Sequence, residues 1–332
     1  MQNISILGIQ PIGLSLALSI KISNIKTPHI TAYSHNSDLI NVAKSLSVFD
    51  DVSKDLDKMI INSDLIIIDA PLIEIPHLLE VISNTSNENL IVLNLNNSQT
   101  KCMAWAKDFL PESINYIGFR PIIKSEIPDI DGVSHLLLDD INVCIMPSPA
   151  ADEQSVKNIT RLVEKIGSTP YFIDTHEHDS YFTAMDKISD VISAAYINAT
   201  TSKPSWVEMY KSAGIQFDNQ SKNASTKDPV INEAECLTLS EPLIYWIDEI
   251  IGSLMKFKKT LQSENDDLLN YLITSWEQKA KWETGSMTPE SNSPHLPSAA
   301  EAMGNTILGN KLSKRLTGNH ESSNQRNWKY PK

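Results

Sequence analysis

The feature that most constrains this chain is an alternation, repeated through its first half, of short Ile-, Leu- and Val-rich runs with segments of helical period. The strand-length runs fall at residues 4–8, 29–33, 65–69, 90–95, 116–118, 142–146 and 171–173. Between them, residues 12–22, 37–47, 75–82, 101–109 and 152–166 place apolar side chains at three- and four-residue spacing. Asp38 stands near the start of the second helical segment, where a carboxylate suits the helix dipole. The strand runs lack polar alternation, so each predicts a strand buried on both faces. Such strands separated by helices predict an α/β fold, a Rossmann-like doubly wound parallel sheet.

From about Thr175 the pattern changes to long helices, at residues 178–201, 206–209, 231–260 and 266–282. Leu243, Trp246, Ile247, Ile250, Leu254 and Phe257 form one stripe, wide enough to pack against a second subunit or within the chain. Residues 285–332 are rich in Ser, Asn, Pro and Gly and carry six cations against three carboxylates. That composition predicts a flexible basic tail, with one short helix over residues 299–312. The expected division is a dinucleotide-binding domain over 1–174, an all-helical dimerisation domain over 175–284, and the tail.

Composition narrows the partners. With 28 Lys and Arg against 41 Asp and Glu, the net charge is −13, which leaves no basic surface for a run of phosphates and argues against nucleic acid. Cys102, Cys144 and Cys236 are odd in number and widely spaced, which predicts neither disulfides nor a metal site and suits a reducing cytoplasm. Residues 1–7 have no basic leader, and Gly13 and Ser15 interrupt the apolar run before targeting length. No later stretch is long enough to span a membrane.

The first strand, turn and helix have the setting that dinucleotide binding requires, with backbone N–H groups at a helix start available to a pyrophosphate. Gly8 and Gly13 occupy the first and third glycine positions of G-x-G-x-x-G, but Gln10 holds the second. Gly8, Ile9, Gln10, Ile12 and Gly13 are therefore the candidate cofactor loop. After the second strand, Ser34 and His35 stand where a carboxylate would hold the ribose of NAD. Small hydroxyl and imidazole groups favour NADP slightly over NAD, although no arginine stands nearby to clamp a 2′-phosphate.

Several further segments together resemble the prephenate/arogenate dehydrogenase family, over about residues 4–283. Residues 63–72, S-D-L-I-I-I-D-A-P-L, resemble a strand ending in A-[VT]-P, which adds Ala70 and Pro71 to the cofactor site. Residues 116–121, Y-I-G-F-R-P, line up with a G-G-H-P-M segment. I-M-P-S-P at 145–149, F-I-D at 172–174, E-H-D-S-Y at 177–181 and L-S-E-P-L-I-Y-W-I-D-E at 239–249 are similar as well. The resemblance implies an NAD(P)-dependent oxidoreductase that takes hydride from prephenate or arogenate, small dicarboxylate-type substrates, and a homodimer built through the C-terminal helices.

The same resemblance marks departures. Arg120 stands where the family's histidine base is expected, and a guanidinium binds a carboxylate but does not accept a proton near neutral pH. Residues 186–190, D-K-I-S-D, replace S-H-L-P-H, and residues 94–99, N-L-N-N-S-Q, replace D-x-G-S-x-K, putting Asn97 at the serine. Lys222 stands near the substrate-holding arginine of G-F-R-D-x-T-R. Arg120, Asn97 and Lys187 are thus the candidate catalytic residues, and Lys222 with Arg120 the candidate substrate cations. His176 and His178 read as structural residues, and no metal is expected. Two rival functions stand beside the dehydrogenase. One is a non-catalytic homologue that binds a nucleotide or carboxylate metabolite; the other is a reductase using Lys187 as proton donor.

Overall fold

A computed structural model describes residues 2–23, 28–34, 36–45, 48–53, 55–84, 87, 89–262 and 267–285. The predicted tail helix and His35 lie outside the described residues. Residues Met1–Asp248 form one compact unit.

Its sheet has eight strands: β1 (Asn3–Leu7), β2 (His29–Tyr33), β3 (Asp51–Ser53), β4 (Leu65–Ile68), β5 (Ile91–Asn94), β6 (Asn115–Pro121), β7 (Asn142–Pro147) and β8 (Thr169–Phe172). They run in the order β3-β2-β1-β4-β5-β6-β7-β8. All neighbours are parallel except β6 and β7, which pair antiparallel with Arg120 opposite Cys144. Their connection carries only the short turns Ile130–Gly132 and His135–Leu138, and an antiparallel pair needs no crossover helix. The sequence reading missed β3 because a three-residue edge strand is too short to show a period.

The helices of the wound part are α1 (Pro11–Ile22), α2 (Ser37–Ser45), α3 (Leu56–Ile61), α4 (Ile75–Ser83), α5 (Gln99–Phe109) and α6 (Glu153–Lys165). They cover both faces, as β4 shows. Leu65 and Ile67 belong to one core layer with Leu14, Leu16 and Ile145, whereas Ile66 and Ile68 belong to the other with Leu78 and Tyr116. All four β4 side chains are fully buried. Each contributes about 1.5–3 kcal/mol through burial, so this strand anchors the sheet.

The helical part begins with α7 (Thr175–Phe182), capped by the Asp174 carboxylate on the His176 and Glu177 amides. A π-turn over Thr183–Lys187 separates it from α8 (Ile188–Thr201). Then follow α9 (Trp206–Met209), α10 (Ile215–Ser221), α11 (Pro229–Thr238), α12 (Ser240–Gln262) and α13 (Asp267–Glu283). The single helix expected over 231–260 is broken at Leu239. Pro242 has no amide to give the Thr238 carbonyl, so the ladder cannot cross that point.

The described residues 249–262 and 267–285 belong to a second compact unit. Within it, Ser253 and Tyr271 share a hydrogen bond of 2.8 Å, and the Phe257 and Tyr271 rings meet edge-on at 5.4 Å. Ile251, Leu254, Met255, Leu272 and Trp276 are exposed. Of the expected stripe, Leu243 is buried while Leu254 is 62% exposed. Among the described residues no helix is long and apolar enough to cross a membrane.

Candidate active site at the carboxyl ends of the strands

β1 has β2 on one side and β4 on the other, so the strand order reverses there and a crevice opens at the carboxyl ends. Gly8 leaves β1 at φ +95°, and a Cβ on it would lie 2.1 Å from the Asp69 carbonyl oxygen. Only glycine fits that turn. At the third glycine position a Cβ on Gly13 would meet the Asp69 carboxylate at 2.5 Å. The Gly13 amide instead donates to Asp69 Oδ2 at 2.7 Å.

That bond changes the loop's capacity for phosphate. Asp69 is buried, and burial pushes its carboxyl up to about 6 against the Gly13 and Gln10 amides and the Arg120 charge, which favour the anion. Pro11, the first residue of α1, has no amide, and Leu14 donates to the Gln10 carbonyl. Ile12 keeps the one first-turn amide without a protein acceptor among the described residues. The crevice and the glycine turn therefore fit a dinucleotide, with Ile12 as the remaining phosphate donor.

The other cofactor-loop residues are placed as follows. The side chains of Ile9 and Ile12 are packed into the core. Ser34 is buried and accepts the Asn36 amide at 3.1 Å. The Ala70 carbonyl accepts from Asn96 Nδ2 at 3.3 Å, and Pro71 leads into a turn over Leu72–Glu74.

On β6, Arg120 is half-buried with its guanidinium 5.5 Å from the Phe182 ring centre. No carboxylate lies within ion-pair distance of it among the described residues. Burial pulls it below its usual value, while Asp186, Asp69 and Glu235 favour the cation. Phe182 also neighbours His178, with ring centres 6.1 Å apart and planes 2° apart. His178 Nδ1 lies 3.0 Å from Asp179 Oδ1, and its buried Nε2 has no partner. Asp179 also accepts the Gln99 and Thr100 amides, each at 2.9 Å, and so fixes the start of α5. Sequence reasoning treated His178 as a structural residue; the unpartnered nitrogen is visible only in three dimensions.

Lys187 and Asn97 do converge, on a residue the sequence reading did not single out. Glu235 of α11 accepts from Lys187 Nζ at 2.8 Å and from Asn97 Nδ2 at 3.0 Å. Lys187 is fully buried and also contacts Asp190 at 3.3 Å and Asn232. Lys227 bridges the same two carboxylates, at 3.2 Å to Asp190 and 3.1 Å to Glu235. Lys227 and Lys187 hold the Glu235 carboxyl below its usual range although burial opposes them. With Asp190, Asn232 and Glu235 all around its Nζ, Lys187 cross-links α8 to α11. Asn97 Oδ1 is buried and unpartnered. Lys222 stands apart on the surface, 3.0 Å from Glu126, with both side chains exposed.

Known dehydrogenases share this fold. A family model described as prephenate dehydrogenase, nucleotide-binding domain, matches residues 16–171. The cyclohexadienyl dehydrogenase of Zymomonas mobilis is 20% identical over 284 residues, which span 84% of this chain and 94% of that relative. The prephenate dehydrogenase of A. aeolicus, solved with hydroxyphenyl propionate and NAD+, superposes with a TM-score of 0.75 at 20% identity, over 87% of this chain and 99% of that one. Residues 16–171 thus resemble the nucleotide-binding domain of prephenate dehydrogenases, and the wider chain shares their fold. The Synechocystis arogenate dehydrogenase shares the fold as well, with a TM-score of 0.69, 17% identity and coverage of 84% and 99%. The segment resembling A-[VT]-P ends on Ala70 and Pro71, directly after Asp69.

Proposed function

We propose that this chain is an NAD(P)-dependent dehydrogenase of a small carboxylate of the prephenate or arogenate type, and that it turns over slowly. The supporting observation is Arg120, an unpaired cation on the β6 end of the candidate active site. When bound, the nicotinamide would accept a hydride. The Gly8 turn, the Ile12 amide, Ser34, Ala70 and Pro71 would hold the dinucleotide. Arg120 would hold a substrate carboxylate, and Asn97 Oδ1 would accept a hydrogen bond from a substrate hydroxyl. Arg120 cannot take that hydroxyl's proton, and loss of a general base costs about 10²–10⁴-fold in rate. Lys222 would act only on the substrate's approach, from its surface position.

NAD is the better supported form. The groove beside Tyr33, the last residue of β2, is lined by Asp55 and Asp57, which would repel a 2′-phosphate.

The exposed apolar residues of α12 and α13 support a homodimer through the C-terminal helices. The division at residues 174 and 284 and a reducing cytoplasm complete the reading, the latter supported by three free cysteines.

A second reading, a non-catalytic binder of a nucleotide or carboxylate metabolite, is favoured by Glu235, which already engages Lys187 and the Asn97 amide nitrogen. Titration with NADH and NADPH, followed by assay of prephenate and arogenate oxidation, separates the two. Cofactor binding with slow turnover supports the dehydrogenase; binding with none on either substrate supports the second reading.

A further inference from the structure

The Gly13 amide sits in the first turn of α1, where a bound pyrophosphate would be received. Asp69 Oδ2 lies 2.7 Å from it, at a buried position reached from the end of β4. The Gln10 amide favours the same carboxylate, and Pro11 contributes no donor. Arg120 is the one charged group that acts on Asp69 from outside the loop. A carboxylate here takes up the positive end of the helix and two of the loop's amides, and adds a like charge to any phosphate that approaches.

We propose that Asp69 is an internal anion that occupies the loop's phosphate donors and thereby sets how tightly the protein holds the pyrophosphate of a dinucleotide. The inference rests on the dinucleotide-binding reading above. Adenosine, which carries no phosphate, is indifferent to Asp69, whereas ADP and NADH compete with it. The crevice thus recognises the nucleoside part of its ligand more than its phosphates. Asp69 is an affinity-determining residue that acts without touching the nicotinamide.

The test is equilibrium binding of adenosine, ADP and NADH, by calorimetry, to the full-length protein and to its Asp69→Ser and Asp69→Asn variants. Asp69→Ser frees both amides, while Asp69→Asn keeps the shape and one acceptor and removes only the charge, which guards against a folding defect in the first. The expected result is that ADP and NADH bind Asp69→Ser about tenfold more tightly than wild type, or about 1.4 kcal/mol, with Asp69→Asn between them and adenosine unchanged. Equal ADP and NADH affinities in all three proteins, with binding present, would overturn the inference and leave the dinucleotide reading standing. Equal strengthening of adenosine would also overturn it, because the effect would not act through phosphate. No binding of any probe to any of the three would overturn both.

Discussion

The Lys187 ammonium, with no exposed surface, lies 2.8 Å from Glu235 Oε2, joining the π-turn that follows α7 to α11 across 48 residues of sequence. The same carboxylate holds Asn97 on the β5–α5 loop. One buried ion pair therefore fixes the helical part against the strand ends that carry the site.

Removing the cation leaves two buried carboxylates with Lys227 alone. Lys187→Met should lower unfolding stability by about 3 kcal/mol, the low end for breaking a buried pair, because Lys227 still contacts both carboxylates. Urea denaturation at pH 7 measures it. A loss below about 0.5 kcal/mol would show that the cluster adds nothing to the fold.

Asp69 gives stability a pH dependence of defined sign. Its carboxyl titrates near 6 in the folded protein against a reference value of 3.8, so the folded state binds more protons between those values. Stability from this group is then greatest at low pH and falls as pH rises through about 6, by about 3 kcal/mol in total. Asp69→Asn should gain on wild type as pH rises, with little difference at pH 3 and the full difference near pH 8. Parallel denaturation series at those two values test it; a gain confined to acid pH would reverse the sign.

Gly8 cannot carry a side chain. Gly8→Ala meets both an unfavourable φ and the Asp69 carbonyl at 2.1 Å, so it should cost at least about 2 kcal/mol and weaken NADH binding. Thermal melts with and without NADH read both effects, and an unchanged melt would mean the turn is not held as described.

Cofactor choice follows from the carboxylates beside Tyr33. NADH should bind more tightly than NADPH by roughly tenfold, as like-charge repulsion at Asp55 and Asp57 requires. Neutralising them in Asp55→Asn/Asp57→Asn should narrow the gap, and preference for NADPH in the wild type would contradict the assignment.

Much of the fold was legible residue by residue. Leu65 to Ile68 carry no polar alternation because both faces of β4 are covered, and Gly8 and Gly13 mark the turn that follows β1. Pro242 also signalled the break between α11 and α12, but the apolar period running through residues 231–260 obscured it. The site was less legible. Arg120 stood out because it replaced a histidine within a recognisable segment. Glu235 and Asp69 did not, since each acquires its role from a partner far away in sequence, Lys187 and Gly13. A carboxylate directly after the Leu-Ile-Ile-Ile strand was the one local sign at Asp69: such a charge needs an internal donor. His178 likewise gains interest only through Phe182, a ring it shares as a neighbour with Arg120.

The most direct measurement is the rate of NADH formation from prephenate and NAD by wild type and by Arg120→His, with substrate affinity determined for both. The expected result is slow wild-type turnover that rises about 10²-fold or more in the variant, with weaker substrate binding as the guanidinium is lost. Wild-type turnover at a normal enzymatic rate that falls on introducing histidine would contradict the assignment of Arg120 as a carboxylate holder in place of the base.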